Sequence, residues 1–147
     1  MGEIDTFWTD AWDGYPAARE RLLQAIAERR PANPVFMSGD AHMFWVSELP
    51  IRFDGSALPA VASEICGTSI TSRSLVEPWY IGALLSENPH IRFGHSAHRG
   101  YTRIELTPGV LRADLRIMES VARRDAACRT LASFAIEDGR PGPEPIA

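Results

Sequence analysis

A chain of 147 residues with 45% hydrophobic and 23% charged side chains has the make-up of a globular protein, not of a disordered one. Its net charge of −4 and fifteen scattered basic residues leave no basic stripe for nucleic acid, and no apolar run approaches the ~20 residues of a membrane span. A single domain of this length buries about 70% of the surface of its extended chain, so a packed core is expected.

The first dozen residues set Phe7, Trp8 and Trp12 among Asp5, Asp10 and Asp13 without a period and read as a connecting loop. Pro16 then suits a first helical turn, and Ala17 to Arg29 consists of good helix formers. Ala18, Leu22, Leu23 and Ile26 make an apolar stripe, and Arg29 and Arg30 set positive charge at the carboxyl end before Pro31. Val35 to Ser38 is short and apolar and stops at Gly39, which predicts a strand buried on both faces. Phe44, Trp45 and Val46 resume the apolar run as core.

From Ile51 the period becomes two. Ile51 and Phe53 flank Arg52 as a strand, Asp54-Gly55 reads as a turn, and Val61 to Thr71 as a further strand. Ser72 to Asn88, with Pro78, Trp79 and Tyr80, reads as a loop with a short helix. Ile91 and Phe93 mark another strand. Tyr101 to Leu106 and Val110 to Ile117 alternate around Thr107-Pro-Gly109 as a hairpin, with Leu111, Ala113, Leu115 and Ile117 inward and Arg112, Asp114 and Arg116 toward water. Met118 to Cys128 loops out, Thr130 to Ile136 returns as a last strand, and the Pro- and Gly-rich tail 138–147 is expected to fray. No repeat or internal boundary divides residues 1–147, so they read as a single domain. Cys66 and Cys128 are too few for a disulfide framework and read as unpaired, Cys66 as a buried hydrophobe.

The chemistry concentrates in Gly39-Asp40-Ala41-His42. A carboxylate supplies a hard oxygen and an imidazole a borderline nitrogen, and alternate residues of an extended chain share a side, so Asp40 and His42 suit a metal. The plainer reading, a strand-ending Asp and a hydrogen-bonded core His, is equally open from spacing alone. His95-Ser-Ala-His98 has the look of a zinc pair, but the spacing suits a helix better than its strand-rich surroundings, and no Cys or acidic residue stands by to complete a site. His90, His95 and His98 therefore read as loop or surface histidines.

Asp13-Gly-Tyr-Pro-Ala-Ala-Arg19, the Gly39 motif, Gly67-Thr-Ser-Ile-Thr-Ser72, Asn88-Pro-His-Ile-Arg-Phe93, Arg99-Gly-Tyr101 and Thr130-Leu-Ala-Ser-Phe134 occur in that order. With these blocks, spread over nearly all of the chain, the sequence resembles the C-terminal portion of the alkaline phosphatase D family of metal-dependent phosphoesterases. The resemblance implies an α/β class: the C-terminal part of a layered metallophosphoesterase-type fold, strand-rich with one clear N-terminal helix. It implies phosphoric ester hydrolysis on a phosphomonoester or phosphodiester, calcium and iron as metals, another divalent metal being compatible, with Asp40 and His42 as two of the ligands. Arg99 is a weaker candidate, its planar fork suited to a phosphate.

Members of the family are several times longer and most of their ligands lie upstream of this segment. One Asp and one His leave even a tetrahedral ion half open. The expectation is accordingly a partial domain that acts with a complementary N-terminal phosphatase chain, the alternatives being a non-catalytic partner or an inactive remnant of a split phosphatase. Family members are commonly exported, but Met1-Gly-Glu-Ile-Asp lacks the basic start of a secretory signal, which leaves the compartment open.

Overall fold

The computed structural model describes residues 10–54 and 58–147. The described residues form a mixed α/β architecture of two four-stranded sheets and two helices. The first sheet holds β1 (Val35–Ser38), β2 (Phe44–Pro50), β3 (Ala60–Cys66) and β4 (Ile91–His95) in the order β1-β3-β2-β4. β1 runs parallel to β3, while β2 is antiparallel to both β3 and β4. The second sheet is an antiparallel meander of β5 (Gly100–Leu106), β6 (Val110–Met118), β7 (Cys128–Glu137) and β8 (Glu144–Ile146). Helix α1 (Pro16–Arg29) lies against β3, and α2 (Ile81–Glu87) against β4.

The core is the space between the sheets. Phe44, Val46 and Ile65 of the first sheet meet Leu111, Ala113, Leu115, Ile117, Phe134 and Ile136 of the second, all buried. Phe93 and Phe134 pack edge to face across the gap with ring centroids 5.6 Å apart. The inward set expected for the hairpin is therefore the set that fills the core.

Several expectations change. β1 is the outermost strand of its sheet and not buried on both faces: Val35 and Phe36 are half-buried, and Met37 is 69% exposed. Residues 51–53 form no strand, because β2 ends at Pro50, where pairing with β3 shifts register. They serve α1 instead. Arg52 Nε donates to Glu20 at 2.9 Å, and the Arg19 guanidinium sits 4.4 Å from the Phe53 ring centre. Of the expected Asp54-Gly55 turn, Gly55 lies outside the described residues, as do residues 1–9 of the N-terminal loop. The strand expected to reach Thr71 stops at Cys66. In α1 Leu23 is buried whereas Leu22 is at the surface.

Asp114, expected to face water, is only 2% exposed. It accepts from Ser133 Oγ at 2.6 Å and Arg112 Nε at 3.1 Å, and pairs with Arg103, so neighbouring side chains and not solvent satisfy its charge. The tail does not fray. Gly139 and Gly142 take φ of 71° and 123°, values open to glycine, and the turn they make returns residues 144–146 to pair with β7. Pro145 is tolerated there because β8 is an edge strand. Both cysteines are free, and Cys66 is buried as expected.

Candidate metal centre

Gly39 to Met43 link the end of β1 to the start of β2. The two strands are not neighbours, since β3 lies between them, so this link must cross over the end of β3. It is held down at its base: the Gly67 N–H donates to the Ser38 carbonyl at 2.9 Å, and Cys66 Sγ lies 3.6 Å from the Gly39 carbonyl and 3.8 Å from that of Met43. Burial among these groups raises the Cys66 thiol above its ordinary pKa, so it stays protonated and serves as floor.

Asp40 and His42 occupy the crossover itself, not an extended segment. Both are left-handed, with φ of 68° and 55°. The Ala41 N–H donates to the Gly39 carbonyl at 2.8 Å across Asp40, an i to i+2 bond that marks a γ-turn of the rare positive-φ kind. Non-glycine residues held this way cost of order 1–3 kcal/mol each and are found where surrounding structure enforces them for a purpose. The alternation argument that placed the two side chains together in an extended chain therefore does not apply, and the turn instead sets where they point.

His42 is half-buried and its Nδ1 lies 3.0 Å from the carbonyl oxygen of Arg73. A carbonyl only accepts, so Nδ1 is the donor, and in the neutral ring Nε2 then keeps its lone pair. An imidazole that donates one ring N–H to a backbone carbonyl is oriented to use the other nitrogen as a metal ligand. Asp40 is exposed. Among the described residues no group of three or more His, Cys, Asp or Glu side chains could hold a metal ion. A carboxylate and one free imidazole nitrogen thus fit part of a coordination sphere and not the whole of it.

Arg99 is not an open phosphate fork. It is 8% exposed. Its Nη1 donates to the carbonyls of His42 at 2.8 Å and Ser72 at 2.7 Å and to Ser69 Oγ at 3.3 Å, and its Nη2 donates to the Ser96 carbonyl. Burial, then the nearby charge of Arg73, lowers its pKa from the ordinary guanidinium value. Its backbone is set from two sides: the Met118 N–H of β6 donates to the Arg99 carbonyl at 2.9 Å, and the N–H of the next residue, Gly100, donates to the Ser69 carbonyl of the 67–77 loop at 3.1 Å. Sequence reasoning missed the partners of His42 and Arg99 because they are backbone carbonyls, which any residue supplies.

His95 and His98 are brought together, but on each other: Nε2 of the first lies 2.9 Å from Nδ1 of the second. His90 packs edge-on against Phe53, ring centroids 4.7 Å apart.

The sequence pattern of PhoD-like phosphatases matches residues 2–115. The chain belongs to that family. It is 38% identical over 135 residues to alkaline phosphatase D of Bacillus subtilis (strain 168), an alignment covering 90% of this chain and 23% of that protein. A solved structure described as the structure of PhoD superposes with a TM-score of 0.84 at 37% identity, over 94% of this chain and 27% of the other. The chain thus spans about a quarter of the length of the relatives it matches. Among the described residues no helix is long and apolar enough to cross a membrane.

Proposed function

We propose that this chain contributes Asp40 and His42 as ligands to the metal centre of a phosphoric ester hydrolase, the rest of the coordination sphere coming from a complementary phosphatase segment. The observation that carries this reading is the bond from His42 Nδ1 to the Arg73 carbonyl, which leaves Nε2 bare at the tip of a loop whose two left-handed residues are Asp40 and His42. Calcium and iron, or another divalent metal, would when bound supply the activation of a water and the neutralisation of charge at phosphorus. The chain's own residues do the holding. Asp40 offers an anionic oxygen, His42 a neutral nitrogen, and the crossover at the end of β3 fixes the distance between their backbones.

Exposed apolar side chains near this end support completion by further polypeptide. Met37 on the free edge of β1, Ile70 and Leu75 on the 67–77 loop, and Trp79 at 81% exposure lie open. A role for this chain as a non-catalytic folding partner is the second reading, favoured by a donor set of two; it differs in expecting that Asp40 and His42 are dispensable for turnover.

The two readings separate in a chimera that carries this chain in place of the matching segment of the Bacillus subtilis enzyme. Hydrolysis of a chromogenic phosphate ester is expected, abolished by Asp40→Ala or His42→Ala and almost unchanged by His95→Ala. Full turnover in the Asp40 and His42 variants would overturn the ligand assignment.

A further inference from the structure

Arg99 bonds the backbone of His42 and the loop that meets its ring. Through Nη1 it binds the His42 carbonyl, which fixes the backbone of a residue in a left-handed conformation; through the same nitrogen it binds the Ser72 carbonyl, one residue before the Arg73 carbonyl that receives His42 Nδ1. Ser69 Oγ and the Ser96 carbonyl complete its bonds, and its own backbone is anchored by β6 through Met118. All four described acceptors are neutral oxygens. A buried cation satisfied only by neutral oxygens recovers little net stability after desolvation, so stability alone does not account for it. What the arrangement secures is geometry: three loops, at 39–43, 67–73 and 96–99, are tied at one planar group with fixed donor directions.

We infer that Arg99 is a positioning residue for His42, its one guanidinium fixing the histidine backbone together with the loop whose next carbonyl, that of Arg73, orients the imidazole. The inference rests on the metal reading of His42 for its purpose, and assigns Arg99 to the protein instead of to the substrate. Lysine keeps the charge but offers one rotating nitrogen in place of two held in a plane, so it cannot bond the Ser96 carbonyl through one nitrogen while a second holds His42 and Ser72 in fixed directions.

The test is nitrogen-15 NMR of the histidine rings in the full chain at alkaline pH. Unmodified protein is expected to show His42 as the Nδ1–H form. Arg99→Lys is expected to move the His42 signals toward the Nε2–H form that predominates for imidazole in water, with the amide spectrum of both sheets retained. A folded Arg99→Lys protein whose His42 stays wholly Nδ1–H overturns the inference. Should that variant not fold, the unmodified chain still decides: rotation about the Arg99 Cζ–Nη1 bond is expected to be slow, with two resolved Nη1 protons, and rapid rotation overturns the inference. Broadening of His42 by added Mn²⁺ separates the two ideas. It is expected to weaken several-fold in Arg99→Lys; equal broadening in both proteins counts against Arg99, whereas none in the unmodified chain counts against the metal reading and leaves the tautomer to decide the rest.

Discussion

His95 Nε2 lies 2.9 Å from His98 Nδ1, and the two rings stack with centroids 5.1 Å apart and planes 10° apart. One nitrogen of the pair must donate and the other accept, and a neutral accepting ring carries its proton on its outer nitrogen, so at most one of the two rings keeps a lone pair for a metal. The zinc-like spacing is a structural contact.

That contact carries a pH dependence. Burial foremost, then His98, Arg99 and Arg129, lowers the His95 pKa, and burial followed by Arg19 lowers that of His90. Both groups bind protons more readily unfolded than folded, so their contribution is complete above the ordinary imidazole value of about 6.5 and is lost as pH falls below it. Urea midpoints measured across that range should decline on acidification, and His95→Gln should flatten the decline. A slope identical to that of the unmodified chain would show that His95 does not carry it.

Asp114 acts at lower pH. The Ser133 hydroxyl first, then Arg103 and Arg112, holds its carboxyl down at about 2 against the opposing effect of burial. The stability this gives is present above the ordinary carboxylate value and is lost as pH falls toward 2. Asp114→Ala removes the acceptor for three side chains and should cost about 1–3 kcal/mol in urea unfolding at neutral pH. Ser133→Ala should cost less and raise the carboxyl pKa.

Gly100 packs against the neighbouring strand. A Cβ there would meet the Arg116 carbonyl oxygen at 1.9 Å, a backbone atom that cannot swing aside. Gly100→Ala should destabilise by about 1–3 kcal/mol, whereas Gly109→Ala, with nothing within 4 Å, should not. Thermal melts of the two variants side by side test the difference.

The open edge of β1 and the exposed Ile70, Leu75 and Trp79 side chains should make the isolated chain bind a hydrophobic dye or self-associate. Met37→Lys with Trp79→Ser should reduce both. A monodisperse chain that ignores the dye would remove the apolar surface as support for a completing partner.

Much of this fold was legible because local period and burial agree. Leu111, Ala113, Leu115 and Ile117 alternate in sequence and all four are buried, and Pro16 and the run to Arg29 set a helix without help from elsewhere. The failures lie where distant residues decide. Nothing near Asp114 in sequence reveals that Arg103 and Ser133 will cover it. β8 forms because β7 offers an edge, which a Pro-rich tail does not advertise. Val35 to Ser38 is apolar enough for a central strand, yet the order β1-β3-β2-β4 puts it outermost. At the candidate site the residue types of Asp40 and His42 were readable, whereas their left-handed turn and the backbone carbonyls that hold His42 and Arg99 were not.

The claim that Asp40 and His42 are metal ligands is tested most directly on the chain as it stands, by Mn²⁺ titration followed residue by residue in amide and imidazole NMR. Two ligands give a weak site, so the expected result is selective broadening centred on Asp40 and His42 at low Mn²⁺, removed by Asp40→Asn and by His42→Gln while the rest of the spectrum is unchanged. Broadening centred on other carboxylates such as Glu48 and Glu144, with residues 39–43 unaffected, would contradict it.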